Sequence, residues 1–261
     1  MKKKALLFLL MHIGLFAFSQ IPDSTKNLEP GLDSMQKTAG KKMALSSAVS
    51  LTNNGISLIP TFSLDKPASI FDLSISKSRF GFDPEFAFSL YDGKPWYFLF
   101  WFRYKVADSK KFKLTAGTHL GLNFVRAVLP VNGDSGKVLL TQRYIVGELV
   151  PTYIITRDIS VGLYYLVSHG MDRGTTNLTH FLTLNANFSH VPLSHSLYLK
   201  WVPQFYYLKI DRDDGFYFTS SFTLAKQQFP VSLSAVINKA IHSNIHAGGD
   251  FVWNLSLTWS F

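Results

Sequence analysis

The chain has 261 residues, no cysteine, 15% aromatic and only 16% charged residues, and a formal charge of +9. That mix is too apolar and aromatic for a disordered chain, and without thiols it excludes a disulfide scaffold, a cysteine-ligated zinc or iron–sulfur centre and a lipid anchor on a modified cysteine. Beyond the N-terminus no run approaches the ~18 apolar residues of a membrane-spanning helix; the longest is Trp96 to Phe102.

Residues 1–19 read as an export signal. Lys2, Lys3 and Lys4 form a positive head, an apolar stretch follows from Ala5 to Phe18, and Ala17-Phe18-Ser19 puts small residues where a signal peptidase cuts. Losing those three lysines lowers the formal charge from +9 to +6. An exported chain with no remaining basic run is not expected to meet nucleic acid. Residues 20–53 read as a flexible periplasmic segment, polar and marked by Pro22, Pro30, Gly31 and Gly40. Its last part, Met43 to Thr52, alternates only weakly and precedes the hairpin signal Asn53-Asn54-Gly55, so it reads as a lead-in to the first strand or a segment packed near the lumen.

From residue 54 to 261 apolar and polar residues alternate with a period of two, the mark of strands with one apolar and one polar face. In chain order this predicts twelve strands, near 54–64, 68–78, 81–91, 96–106, 111–124, 139–155, 158–170, 176–190, 193–209, 213–227, 230–243 and 250–261. The last is the clearest. Phe251, Trp253, Leu255, Leu257, Trp259 and Phe261 interleave with Val252, Asn254, Ser256, Thr258 and Ser260. A soluble sandwich rarely places Trp, Phe and Leu along every strand, whereas a transmembrane barrel turns such a face to lipid and its small polar face to the lumen. Strands of ten residues or more suit a tilted span. The breaks alternate between short and long, the longest being Val125 to Val138 and His242 to Gly249. The fold class is therefore all-β, an antiparallel up-and-down transmembrane barrel of twelve strands. An even number of strands puts both termini on the periplasmic side.

The lysine-headed signal, the alternating strands and the terminal Ser256-Leu257-Thr258-Trp259-Ser260-Phe261 resemble bacterial outer-membrane β-barrel proteins over residues 54–261. The resemblance implies the outer membrane of a diderm (Gram-negative) bacterium, with outer-membrane lipid and lipopolysaccharide around the barrel. It also implies recognition of the strand ending in Phe261 by the barrel-insertion machinery. It names no subfamily, no protein partner and no cofactor.

Parity assigns the charges. Asp72, Asp83, Glu85, Arg103, Lys105, Lys113, Glu148 and Lys200 point into the lumen, a balanced set of acids and bases. Closing a hairpin at Asp92-Gly93 is expected to set Glu85 opposite Arg103 and Asp83 opposite Lys105, with Lys105 near Lys113 across the next turn. Such a cluster either selects solutes at a constriction or stiffens the wall as an ion-pair network. Arg143, Lys209 and Lys239 point outward at the external rim, where they would meet lipopolysaccharide phosphates or simply snorkel to the interface. Tyr97, Leu99, Trp101, Tyr164, Leu166, Tyr198 and Tyr206 point inward and are large enough to fill the bore.

No catalytic motif emerges. His119 faces the lumen beside Gly121 and Asn123, His180 faces lipid, and His169 shares a loop with Asp172. His242 and His246 are four apart but lack the Glu of a His-Glu-x-x-His zinc helix, so no metal site is expected. The sequence supports a small porin-like channel for passive solute passage. An enzyme acting on lipid or lipopolysaccharide and a structural or assembly barrel of an envelope complex stand as alternatives.

Overall fold

A computed structural model describes residues 43–131, 134–246 and 249–261. The export signal and residues 20–42 lie outside them. The described chain forms one closed antiparallel barrel of twelve strands, each paired with its sequence neighbours, with β1 pairing β12 to complete the ring. The strands are β1 (Ala44–Thr52), β2 (Ala68–Lys77), β3 (Phe80–Ser89), β4 (Pro95–Asp108), β5 (Phe112–Val131), β6 (Asp134–Ile154), β7 (Ile159–Gly170), β8 (Leu178–Pro192), β9 (Leu197–Ile210), β10 (Asp213–Lys226), β11 (Val231–Ser243) and β12 (Phe251–Ser260).

The period-two pattern produces this wall directly. On β12, Phe251, Trp253, Leu255, Leu257 and Trp259 are exposed on the outside, while Val252 and Asn254 are buried inside. Phe102 and Tyr104 on β4, Leu163 and Tyr165 on β7, and Leu182 and Leu184 on β8 continue the apolar outer belt. A closed sheet leaves no unpaired strand edge in hydrocarbon, the condition that permits strands to cross a membrane. Aromatic pairs tie neighbouring strands together on that belt. Phe82 stacks on Phe102 at 4.7 Å, Phe188 on Trp201 at 4.9 Å, and Phe205 tilts over Phe218 at 5.0 Å.

The two rims differ. The rim holding the chain ends is closed by brief turns at 78–79, 109–111, 155–158, 193–196 and 227–230. The other carries the connections 53–67, 90–94, 171–177 and 244–250.

Three sequence expectations are corrected. First, the strand placed at 54–64 is not in the wall. β1 is Ala44–Thr52, within the segment read as periplasmic tail, and the barrel therefore starts ten residues earlier than expected. Its alternation is faint because its inner face is made of Ser46, Ala48, Ser50 and Thr52, which are small, although Leu45 and Leu51 do face outward. One strand is gained and one lost, so the total of twelve stands. Second, the supposed loop from Val125 to Val138 is largely sheet, because β5 and β6 run on to Val131 and Asp134 as a tall hairpin. Third, Glu85 does not face Arg103. The five-residue connection 90–94 and an irregularity at Ala87/Phe88 slide the register, pairing Glu85 with Leu99, Asp83 with Trp101 and Gly81 with Arg103. Across the next turn Lys105 pairs with Thr115 rather than lying at Lys113, and an irregularity between Lys105 and Ala107 then sets Asp108 opposite Lys113.

Candidate functional site: the barrel lumen

Residues 53–67, the longest connection, fold back into the barrel as a small hairpin of their own. The Gly55 amide donates to the Lys66 carbonyl, Leu64 to Gly55 and Ser57 to Phe62, and Ile56 bridges Ser63. Asn54 fastens its base by donating to the Trp253 carbonyl at 3.2 Å and accepting from the Ser63 hydroxyl at 2.7 Å. Gly55 is needed because a Cβ there would lie 2.6 Å from the Trp96 ring. The tip, Ile59-Pro60-Thr61-Phe62, reaches the inward side chains: Ile59 and Phe62 pack on a cluster of Trp101, Tyr164, Phe181, Tyr206, Leu208 and Tyr217, and Thr61 is only 2% exposed. Tyr206 stacks on Tyr217 at 4.7 Å, and its hydroxyl donates to Asn238 Oδ1 at 2.8 Å. Sequence parity put Tyr97, Leu99, Trp101, Tyr164, Leu166 and Tyr206 inside; it missed that a connection enters from the rim to pack on them. The signals available were the Asn53-Asn54-Gly55 turn and the proline at 60 inside a nominal strand.

Below the plug lies the charged layer. Arg103 on β4 donates from Nη1 to Asp83 Oδ2 at 2.8 Å and from Nε to Glu148 Oε1 at 2.6 Å, and its guanidinium lies 4.4 Å from the centre of the Trp101 ring. Glu148 has a side chain only 1% exposed and takes a second bond at Oε2 from the Tyr164 hydroxyl at 2.7 Å. Its place is made by the glycine opposite: a Cβ on Gly117 would sit 2.6 Å from Glu148 Oε1. The Ser74 hydroxyl donates to Asp83 Oδ1 at 2.6 Å, and the Tyr97 hydroxyl donates to Glu85. Asp72, buried, is the register partner of Glu85. The expected cluster thus divides. Asp83, Arg103 and Glu148 form one hydrogen-bonded network, with Asp72 and Glu85 beside it. Lys105, Lys113 and Lys200 lie closer to the terminal rim, and Lys113 stands 3.9 Å from Asp108.

Toward that rim the inner wall changes character. Ser46, Ser74, Ser76, Thr115, Thr152, Asn187, Ser232 and Thr258 are only half-buried, so small polar groups line a solvent-reached half of the lumen. The barrel interior is thus apolar and occluded in one half, polar and accessible in the other, with the ion network between.

The remaining candidates are scattered. His119 is buried, its ring 3.9 Å from that of Trp101. His180 shares a 2.8 Å hydrogen bond with the Tyr165 hydroxyl on the outer face. Arg143, expected as a rim cation, instead grips Asp172 of the 171–177 connection, Nη2 lying 2.6 Å from Oδ1. These hydrogen bonds hold the Asp172 carboxyl below the ordinary carboxylate range. Lys209 and Lys239 are exposed on the outer face.

No family model matches the sequence, and no curated protein sequence matches it. Solved structures do resemble the fold. The KdgM porin superposes with a TM-score of 0.54 at 12% identity, covering 84% of this chain and 99% of its own. The same porin in complex with disordered oligogalacturonate gives 0.51 at 11%, with the same coverage. An outer-membrane channel from Pseudomonas putida F1 gives 0.50 at 11%, covering 90% of this chain and 100% of its own. At these identities the likeness is one of fold. The protein has the fold of an outer-membrane β-barrel, here a closed ring of twelve strands, and the likenesses single out no subfamily.

Proposed function

We propose that this protein is a narrow channel for passive passage of small polar solutes across the outer membrane, and that the inserted hairpin 53–67 sets its bore. The observation that carries the reading is the division of the lumen, a polar accessible half meeting an apolar plug built from a connection rather than from the wall. A plug attached at two points can shift without breaking any strand pairing, so a passage can open while the barrel stays closed on itself. The fold shared with a porin and a channel agrees with this role. On this reading the chain is exported through residues 1–19, both termini face the periplasm, the rim with the long connections faces outward, and the strand ending in Phe261 is read during insertion.

Planar-bilayer recordings test the proposal. Wild-type protein is expected to show small, flickering openings. A variant with residues 55–64 replaced by a short Gly-Ser link is expected to show steady openings of severalfold larger conductance. Folding of both is checked by their altered migration on gels before and after heating. Two well-folded proteins that both pass no current would overturn the reading.

A further inference from the structure

The inserted hairpin lies over a part of the inner wall that it does not match. Three inward side chains there hold buried polar atoms that, among the described residues, have no hydrogen-bond partner: Thr183 Oγ1 on β8, Asn238 Nδ2 on β11 and Asn254 Oδ1 on β12. None of the three residues is more than 6% exposed. They belong to one band across β8–β12. Thr183 is the register partner of Tyr206, Tyr206 is that of Tyr217, and the Tyr206 hydroxyl reaches Asn238 two strands away at 2.8 Å. Asn254 stands two positions along β12 from Val252, the partner of Asn238. The hairpin springs from β1 beside this band, with Asn54 bonded to the Trp253 carbonyl. Its tip then sets Ile59 and Phe62, whose side chains carry no polar atom, on the cluster that includes Phe181, Tyr206 and Tyr217.

Interiors seldom leave such groups unbonded, because each has given up water for nothing in return. A second occupant of the surface, one that bonds what the hairpin leaves bare, removes that cost. Its chemistry follows from the band. Asn238 Nδ2 needs an acceptor, Asn254 Oδ1 needs a donor, and Thr183 Oγ1 takes either. A hydroxyl supplies both roles, whereas an ammonium only donates and a carboxylate only accepts. The inward neighbours Phe181, Asn185, Thr219 and Val252 are uncharged and buried, so an ion would leave water without a counter-charge. Tyr206 and Tyr217, stacked at 4.7 Å, and Phe181, edge-on to Tyr206, add flat apolar surface. A sugar ring has hydroxyls around its rim and an apolar C–H face that lies against an aromatic one. We propose that Thr183, Asn238 and Asn254, with Tyr206 and Tyr217, bind an uncharged saccharide, which competes with Ile59 and Phe62 of the hairpin for one surface. The site rests on the channel reading for the movement of the hairpin, and adds to it the class of solute.

Calorimetric titration of the purified protein in neutral detergent tests the site without reading any current, so a barrel that passes no ions still answers the question. The probes are lactose, its carboxylate lactobionate, and a polyethylene glycol of similar mass that lacks both hydroxyl-bearing rings and charge. The proteins are the wild type and the form with residues 55–64 replaced by a Gly-Ser link, in which the band stays uncovered. Lactose is expected to bind the hairpin-replaced form more tightly than the wild type, and lactobionate and the glycol are expected to bind neither. Thr183→Val combined with Asn238→Leu and Tyr206→Phe, which removes the bonding groups and leaves none of their partners stranded, should weaken lactose about tenfold. Equal binding of lactobionate would overturn the proposal, as would full binding of lactose by the triple variant or no binding by the hairpin-replaced form. Thr183→Val alone, in the intact barrel, gives a second reading. Its urea midpoint should hold or rise, since the lost hydroxyl bonds nothing; a clear fall would show that the hydroxyl is already satisfied and would also overturn the proposal.

Discussion

Replacing Arg103 should cost the barrel more than replacing Glu148, even though the two share one ion pair. The asymmetry follows from what each would leave behind. Without Arg103, Glu148 remains a carboxylate 1% exposed, held by the Tyr164 hydroxyl alone. Stranding a buried charge in this way costs about 3–5 kcal/mol. Without the charge of Glu148, Arg103 keeps Asp83 at 2.8 Å and the face of Trp101, and its own side chain is 19% exposed. Glu148→Gln also keeps an oxygen for Tyr164. Its cost is that of one hydrogen bond to a charged group, about 1.5–3 kcal/mol. The double variant, Arg103→Met with Glu148→Gln, should be more stable than Arg103→Met alone, because the stranded carboxylate is gone. Urea titration of the protein in lipid vesicles, followed by tryptophan fluorescence, would measure all three. If Glu148→Gln cost as much as Arg103→Met, or the double variant were the least stable, burial would not be what sets the strength of this network.

Leu257 is 50% exposed on the outer face of β12, whereas Ser256 faces the half-buried lumen; Leu257→Arg should destabilise by about 2–4 kcal/mol if near the bilayer midplane and Ser256→Arg by far less, in the same titration. Gly117→Ala should push the Glu148 carboxylate off Arg103, since the new methyl would overlap Oε1; its effect should largely vanish in a Glu148→Gln background, as a double-mutant cycle would show. The depressed Asp172 carboxyl makes its grip on Arg143 a source of order that is complete above the ordinary aspartate value of about 3.9 and lost as pH falls through the lower folded value. Protection of the 171–177 amides, after correction for the pH dependence of intrinsic exchange, should therefore fall on acidification below that range, and Asp172→Asn should give the same loss of protection already at neutral pH.

Much of the wall was legible because alternation is a local property: each outward Phe or Leu on β12 or β4 announces its face without reference to any partner. Register is not local. The pairing of Glu85 with Leu99 depends on the length of the 90–94 connection and on an irregularity at Ala87/Phe88 that no residue type marks. For that reason Glu85 and Asp83 were expected opposite the wrong neighbours. β1 was missed because serine and alanine inside, with Ser47 and Val49 outside, give little contrast. The hairpin 53–67 was taken for wall because a strand paired with itself alternates like a strand paired with its neighbours. Only its turn residues and Pro60 distinguished the two. The union of Arg103 with Glu148, distant in sequence, needed three dimensions, although Gly117 opposite Glu148 is its trace in the chain.

The ring of strands closes unevenly. β5 and β6 pair along their whole length, from Phe112 with Tyr153 to Val131 with Asp134, while β1 meets β12 only from Ala48 with Ser260 to Thr52 with Ser256, extended by Asn53 at Leu255. The first and last strands are thus joined by the shortest row of hydrogen bonds in the wall. Pulling force or denaturant acting on the finished cylinder meets its least resistance at that suture, and the cylinder parts there first, uncoiling into a sheet whose free borders are β1 and β12.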